Sequence, residues 1–303
     1  MESYLHNDTE QFRAAVLATS AALGITPAYT VKDYFICLLL NEITEQNPDL
    51  VFKGGTCLSK CHHAINRFSE DIDLGLAAEH VTESMHKRVK SAVVNAVEST
   101  GLTIQNFSQI RSRRDFNKYL IGIPDFGFEG INTLIVETAT ITPAYPTIEK
   151  SVSSFIYDWA ISQEIDEGTL DYKGLKPFTL KASSIERTFA DKLFAICDYY
   201  LDDLPIPPRQ SRHIYDLYRL RKFITFDDSM RTFLEIVRKQ RIHAPRCHSA
   251  QDGVNLSSIL EQIIKEDAYR KDYITITSDL LYENVTYEEA VSILYTISQW
   301  LKE

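Results

Sequence analysis

Two aspartates one residue apart, Asp71 and Asp73, close a stretch over residues 52–76 that reads FKGGTCLSKCHHAINRFSEDIDLGL. Ile72 and Leu74 alternate with them at the period of a strand, so both carboxylates face one way and both aliphatic side chains face a core. Two adjacent carboxylates repel, and without a counter-charge one of them holds a proton near neutral pH. A divalent metal supplies that counter-charge. Magnesium takes oxygen ligands from one or two carboxylates and from substrate phosphates. The stretch opens on Gly54 and Gly55, which lack Cβ atoms, so the backbone can turn tightly and bring its N–H groups near an anion. Thr56 falls where a helix N-cap would stand. Asp-x-Asp pairs also occur in surface turns, but Leu74-Gly75-Leu76 sets this one inside an apolar run. The glycines do not have the spacing of a Walker A loop, and Lys60 follows the wrong residues for one.

The elements that must position these groups follow from periodicity. Residues 8–24 and 31–45 carry helical patterns, the first ending near Gly24 and Pro27, the second before Asn47-Pro48-Asp49. Residues 50–52 form a short strand into the glycine turn, and a second strand runs through Asp73 to Leu76. Thr82 opens a long amphipathic helix that stops at Gly101. Strand-like runs follow at 102–107, 119–123 and 131–138, the last placing Glu137 on one face with Thr133 and Ile135. Residues 143–176 read as irregular. From Lys181 the pattern is helical: Ser183 or Ser184 caps a helix with Phe189, Leu193, Ile196 and Cys197 at core spacing. Residues 209–223 form the next helix, with at least three more after it. Strands in the first half and helices in the second predict an α+β fold. Its core is a small mixed β-sheet with flanking helices over residues 1–180, followed by a mostly helical C-terminal domain over residues 181–303.

Composition narrows the class. With 303 residues, 44% hydrophobic and 24% charged, the chain is an ordinary globular protein long enough for two domains. No apolar stretch reaches the length of a membrane span and no basic region precedes an apolar run at the start, so the cytoplasm is the expected compartment. Five scattered cysteines do not suggest a disulfide framework, and Cys57 and Cys61, four apart beside His62 and His63, read as small packing residues before a zinc site. A net charge of −10 argues against a surface that binds polyanions all over. Residues 209–246 nevertheless hold ten Lys or Arg against four Asp or Glu, a local basic patch suited to a phosphate-bearing substrate or simply to solvated helix faces. Arg111, Arg113, Arg114 and Lys118 form a second small basic group.

Gly54-Gly55 followed by Ser69-Glu70-Asp71-Ile72-Asp73-Leu74 resembles the signature of the polymerase β nucleotidyltransferase superfamily. More closely, KGGTCLSK with RFSEDIDL is similar to the AbiEii/AbiGii toxin family, the toxin half of type IV toxin–antitoxin systems. Two later segments resemble motifs of the same family: residues 185–193, which end on Lys192-Leu193, and residues 211–220, which carry Arg212, Asp216 and Leu217. The resemblance covers roughly residues 30–225. It departs at His213, where the family often carries an acid.

The resemblance implies an activity and a site. It implies transfer of a nucleoside monophosphate from an NTP, with Mg2+ or Mn2+ at Asp71 and Asp73 and a third carboxylate from a neighbouring strand, for which Glu137 is the candidate. Lys53, Gly54, Gly55, Thr56, Ser69, Arg187 and Arg212 would bind the nucleotide. Lys192 would meet charge on the phosphates, and Asp216 would orient Lys192 or Arg212 or serve as a base. Read by spacing alone, Arg212 and Asp216 form a plain i, i+4 helix pair and Lys192 a solvated helix lysine. The implied acceptor is RNA, with the tRNA 3′ end the sharpest candidate, and the implied partner is a cognate antitoxin. Two alternatives remain open: transfer to a protein side chain or a small molecule, and a silent nucleotide- or partner-binding module.

Overall fold

Strand propensity and helix capping divide the chain sharply in the computed structural model, which describes residues 3–130 and 132–303. Among the described residues the sheet has seven strands in the order β3-β4-β5-β2-β1-β7-β6. They are β1 (Leu50–Lys53), β2 (Ile72–Leu76), β3 (Thr103–Ile104), β4 (Phe116–Gly122), β5 (Thr133–Ala139), β6 (Thr147–Val152) and β7 (Phe178–Ser183). β1 runs antiparallel to β2 and parallel to β7, β2 is parallel to β5, and β4 is antiparallel to both β3 and β5. The sheet is therefore mixed, with β1, β2 and β5 adjacent at its centre.

The chain divides into two compact units, Met1–Cys61 with Glu70–Ala182, and His62–Ser69 with Ser183–Glu303. In the first, α1 (Thr9–Leu23) begins at Asp8, whose carboxylate accepts from Gln11 N–H at 3.0 Å, and ends at left-handed Gly24. α2 (Pro27–Gln46) is apolar nearly all round and buries Tyr34, Phe35, Leu38, Leu39 and Ile43 in the sheet's core. α4 (Glu83–Ser99) is amphipathic and is capped by Thr82, which accepts from Met85 N–H at 3.3 Å.

The second unit is helical: α6 (Ile185–Leu201), α7 (Arg212–Leu220), α8 (Asp228–Arg241), α9 (Leu256–Lys265), the short α10 (Arg270–Asp272) and α11 (Tyr287–Lys302). α11 packs on α9 and α7, and α6 packs on α7, α8 and α9. Ser184 caps α6, accepting from Arg187 N–H at 3.2 Å, and a Thr286–Glu289 capping box opens α11. Residues 62–69 lie in this unit as an extended strap: Phe68 N–H donates to Leu280 O at 2.8 Å and Tyr282 N–H to Asn66 O at 3.0 Å.

Three expectations change. Residues 143–176 are not irregular: they contain β6 and α5 (Phe155–Ser162), whose cap Ser154 accepts from Tyr157 N–H at 3.2 Å. β6 escapes notice because its sequence, TIEKSV, is polar and half-exposed along most of its length. The run at 102–107 supplies only two strand residues before a turn. The helix expected from 209 starts at Arg212, because Arg209 is left-handed (φ 71°) and the Arg209 and Ser211 N–H groups are taken by the Asp272 carboxylate. Ile131, at the head of the expected 131–138 strand, lies outside the described residues.

Candidate active site

In the first unit the site is built on β1, β2 and β5. Leu50, Val51 and Phe52 are buried, and the chain then turns at Gly54, which is left-handed (φ +78°), into α3 (Gly54–Lys60). A Cβ placed on Gly54 would stand 2.0 Å from Oδ2 of Asp73 and 3.1 Å from its Cβ. Gly54 is thus required twice, by its φ and by the Asp73 carboxylate lying against it. Gly55 is not left-handed; it lies inside the first turn of α3. Thr56 is not the N-cap, since the helix begins two residues earlier at Lys53-Gly54, and Thr56 is buried within that turn.

β2 keeps the expected alternation: Ile72 and Leu74 are fully buried and Asp73 half-buried, while Asp71 stands just before the strand. Register then sets a row of four charges across the sheet. Lys53 of β1 is paired with Asp73 of β2, Asp73 with Glu137 of β5, and Glu137 with Lys118 of β4. Register partners share a face, so the row reads plus, minus, minus, plus. Its two carboxylates lean apart, Asp73 onto Gly54 and Glu137 onto Lys118, whose Nζ is 2.9 Å from Oε1. Lys53 makes no ion pair among the described residues, and its stem runs along Gly75.

The donor set suits magnesium, though not a closed cage. Among the described residues no three His, Cys, Asp or Glu side chains group together as a metal site. Asp71 and Asp73 would hold the ion with ligands still to come from phosphate and water, the usual arrangement for Mg2+. Glu137, the candidate third ligand, is engaged by Lys118. Cys57 and Cys61 are buried and form no disulfide among the described residues.

The second unit holds another charge cluster. Asp216, on α7, is fully buried and meets Lys192 Nζ of α6 at 2.6 Å. Arg67 of the strap grips the same carboxylate bidentately, Nε to Oδ1 at 2.7 Å and Nη2 to Oδ2 at 2.8 Å. Burial alone would raise the Asp216 carboxyl, but the Arg67 and Lys192 charges outweigh it and hold it far below the usual carboxylate range. Burial lowers the Lys192 ammonium, with Asp216 opposing. His213 lies 3.5 Å from Lys192, with Nδ1 toward the ammonium and Nε2 3.1 Å from Gln210 Oε1. Burial and the neighbouring Lys192 and Arg212 charges push His213 well below its ordinary value, so it sits neutral, accepting from Lys192 and donating to Gln210.

Several expected partners are exchanged here. Arg212 makes no ion pair with Asp216 among the described residues; Arg67, 149 positions away, takes that place. A sequence pairing rule that looks three or four residues along a helix cannot find it. Arg187, expected at the phosphates, is 1% exposed and spends its guanidinium on Asp191 (3.1 and 3.2 Å) and Gln240 (2.5 Å). Ser69 lies at the end of the strap. Half of the ten basic residues in 209–246 are paired inside their own unit: Arg219 with Glu283, Arg231 with Asp228, Arg238 with Glu235, Arg241 with Asp191 and Asp198, and Arg246 with Asp202. Lys118 was visible in sequence only as part of a basic group; its place opposite Glu137 needed the β4–β5 register.

Residues 38–293 match the family model described as nucleotidyl transferase AbiEii toxin, type IV TA system. The chain belongs to the AbiEii family. It is therefore a nucleotidyltransferase of the type IV toxin class, and the match extends about seventy residues past the region whose motifs were legible, through α8 and α9 into α11. Among solved structures, MenT4, nucleotidyltransferase toxin Rv2826c from Mycobacterium tuberculosis H37Rv, is 18% identical with a TM-score of 0.52, over 95% of this chain and 89% of that one. That likeness gives this AbiEii protein the α+β fold of a nucleotidyltransferase toxin. JHP933 from Helicobacter pylori is 20% identical with a TM-score of 0.42, over 87% and 88% of the two chains. Comparison with curated proteins gives no match. No single described helix of this AbiEii chain is long and apolar enough to cross a membrane.

Proposed function

We propose that this AbiEii toxin uses Mg2+ to transfer a nucleoside monophosphate from an NTP to RNA, with the tRNA 3′ end as acceptor, in the cytoplasm and under control of a cognate antitoxin. The observation that carries the site assignment is the close approach of Asp73 to Gly54, with Lys53 in register beside it. In the transfer, the acceptor hydroxyl oxygen bonds to the α-phosphorus and gives up its proton to solvent, while the bond from that phosphorus to the oxygen bridging to the β-phosphate breaks and pyrophosphate leaves. Asp71 and Asp73 would hold the cation, which would supply positive charge against the charge that develops on the reacting phosphate. Lys53 binds a phosphate oxygen as a point charge. Gly54 and Gly55 let the backbone of the β1–α3 turn approach the triphosphate.

Asp216 is not the base in this reading. Both its oxygens are engaged by Arg67 and Lys192 and its proton affinity is low, so it orients Lys192. Lys192 has three N–H donors; Asp216 and His213 take two, and the third is assigned to phosphate. Arg187 is assigned to α6–α8 packing, and Arg212, without an ion pair among the described residues, stays with the nucleotide or acceptor.

Incubation with each of four labelled NTPs, Mg2+ and total RNA tests the acceptor. Label on small RNA is expected. Label on protein alone, or on neither, would overturn the RNA assignment and favour transfer to a protein side chain or a small molecule.

A further inference from the structure

Glu137 and Lys118 form an ion pair within the charged row, on the side of Glu137 away from Asp73. Glu137 is the register partner of Asp73 on the adjacent parallel strand, so its Cα stands where a third metal carboxylate would be wanted. Its side chain, however, turns the other way along the row to Lys118 at 2.9 Å. Asp73 turns oppositely, onto Gly54. Both members of the Glu137–Lys118 pair are partly open, with side chains 28% and 46% exposed, so the pair can exchange partners without unpacking the core.

We propose that Lys118 is a positioning residue that holds Glu137 off the Asp71–Asp73 pair, so that the site binds a bare divalent cation weakly and takes it up mainly as the metal–triphosphate chelate. This rests on the assignment of the metal to Asp71 and Asp73. Two carboxylates with lysines at both ends of the row make a poor site for a free dication, because affinity rises with the number of ligand charges and falls with nearby cations. A triphosphate reverses that balance: it brings several negative oxygens, which Lys53 attracts. Release of Glu137 from Lys118 would convert the two-carboxylate site to a three-carboxylate one.

Mn2+ binding to the nucleotide-free protein, followed by the electron paramagnetic resonance signal of free Mn2+, tests this without reference to turnover. Lys118→Gln should tighten Mn2+ binding by about fivefold to tenfold, while Lys118→Arg should behave as wild type. Glu137→Gln alone should change the affinity by less than about twofold, and in the double variant the gain from Lys118→Gln should disappear. A gain that persists with Glu137→Gln would show that Lys118 acts only through its distant charge, and a loss of about tenfold in Glu137→Gln alone would show that Glu137 is already a ligand; either overturns the proposal, as does unchanged affinity in Lys118→Gln. Asp73→Asn separates the underlying assignment: if Mn2+ binds this variant as tightly as wild type, the metal is not at Asp71 and Asp73 at all.

Discussion

Oδ2 of Asp73 occupies the space a β-carbon would need on Gly54, 2.0 Å from where that carbon would stand. The glycine turn and the Asp-x-Asp strand are thus one fitted unit, and a methyl group on the first must move the carboxylate of the second. Gly54→Ala is expected to abolish nucleotidyl transfer and to cost about 1–3 kcal/mol of stability, from a strained φ and a displaced Asp73. Gly24 provides the control, since its φ of +66° is similar but nothing lies within 4 Å of its missing Cβ. Gly24→Ala should cost about 1 kcal/mol and leave transfer untouched. Equal activity in the two variants would show that the Gly54–Asp73 contact is not part of the site.

The Arg67–Asp216–Lys192 cluster predicts an order of stabilities. Asp216→Ala strands two buried cations and should cost about 3–5 kcal/mol, whereas Lys192→Ala leaves Asp216 gripped by Arg67 and should cost clearly less. Urea unfolding of both variants checks the order. In activity the ranking differs: Lys192→Ala should lower kcat by roughly 10² to 10³ with a much smaller change in nucleotide affinity, as for loss of one preorganised donor to developing charge. Full turnover in a folded Lys192→Ala protein would reduce Lys192 to a structural lysine.

Stability should fall as the solution is acidified below the ordinary histidine range. Nε2 of His6 donates to Thr100 O at 3.0 Å, so Nδ1 accepts from the Tyr34 hydroxyl at 3.0 Å, an arrangement only the neutral ring can keep. Burial lowers His6 from its ordinary 6.5, the Thr100 bond opposing, and His213 is lowered in the same direction. Between the folded and unfolded values the unfolded chain therefore binds more protons. Stability is complete above the unfolded value of 6.5 and is lost as pH drops through the folded values, by at most about 1.4 kcal/mol per pH unit for each ring. Thermal midpoints that decline from pH 7.5 to 5, with a shallower decline in His6→Gln, are expected; a flat profile in wild type would contradict the account.

The internal pairing of the basic stretch makes its charges unequal. Arg241→Glu removes the ion-pair partner of Asp198 and one of the two partners of Asp191, puts a like charge beside both, and should destabilise the helical unit by about 3 kcal/mol or more. Lys222→Glu and Lys239→Glu are exposed and without ion pairs among the described residues, so their melting temperatures should stay near wild type. If RNA is the acceptor, those two reversals should flatten the salt dependence of its binding, each by about one unit of the log–log slope. An unchanged slope would point to an acceptor that does not run along this face.

What could be seen in the sequence was local. The period-two pattern of Ile72 and Leu74 set the face of Asp73, while Asp71 falls just before the strand, and Thr82 and Ser184 marked helix starts through their own side-chain chemistry. Thr133, Ile135 and Glu137 share a face as the alternation of β5 requires. What stayed hidden depends on partners distant in sequence. Arg67 finds Asp216 across 149 positions, Lys118 finds Glu137 only through the β4–β5 register, and Lys60 is paired with buried Asp33 on α2. A count of ten basic residues between 209 and 246 likewise could not reveal that five are already neutralised by carboxylates of the same unit.

The central claim, that Asp71 and Asp73 serve transfer of a nucleotide from an NTP, is tested most directly by following two labels in one reaction with RNA and Mg2+. In wild type, label in the α-phosphate should appear on RNA while label in the γ-phosphate should leave as pyrophosphate, and Asp73→Asn should abolish the first signal while its thermal midpoint stays at or above that of wild type without metal. Label from the γ-phosphate on the acceptor, or α-label transferred at the wild-type rate by a folded Asp73→Asn protein, would contradict it.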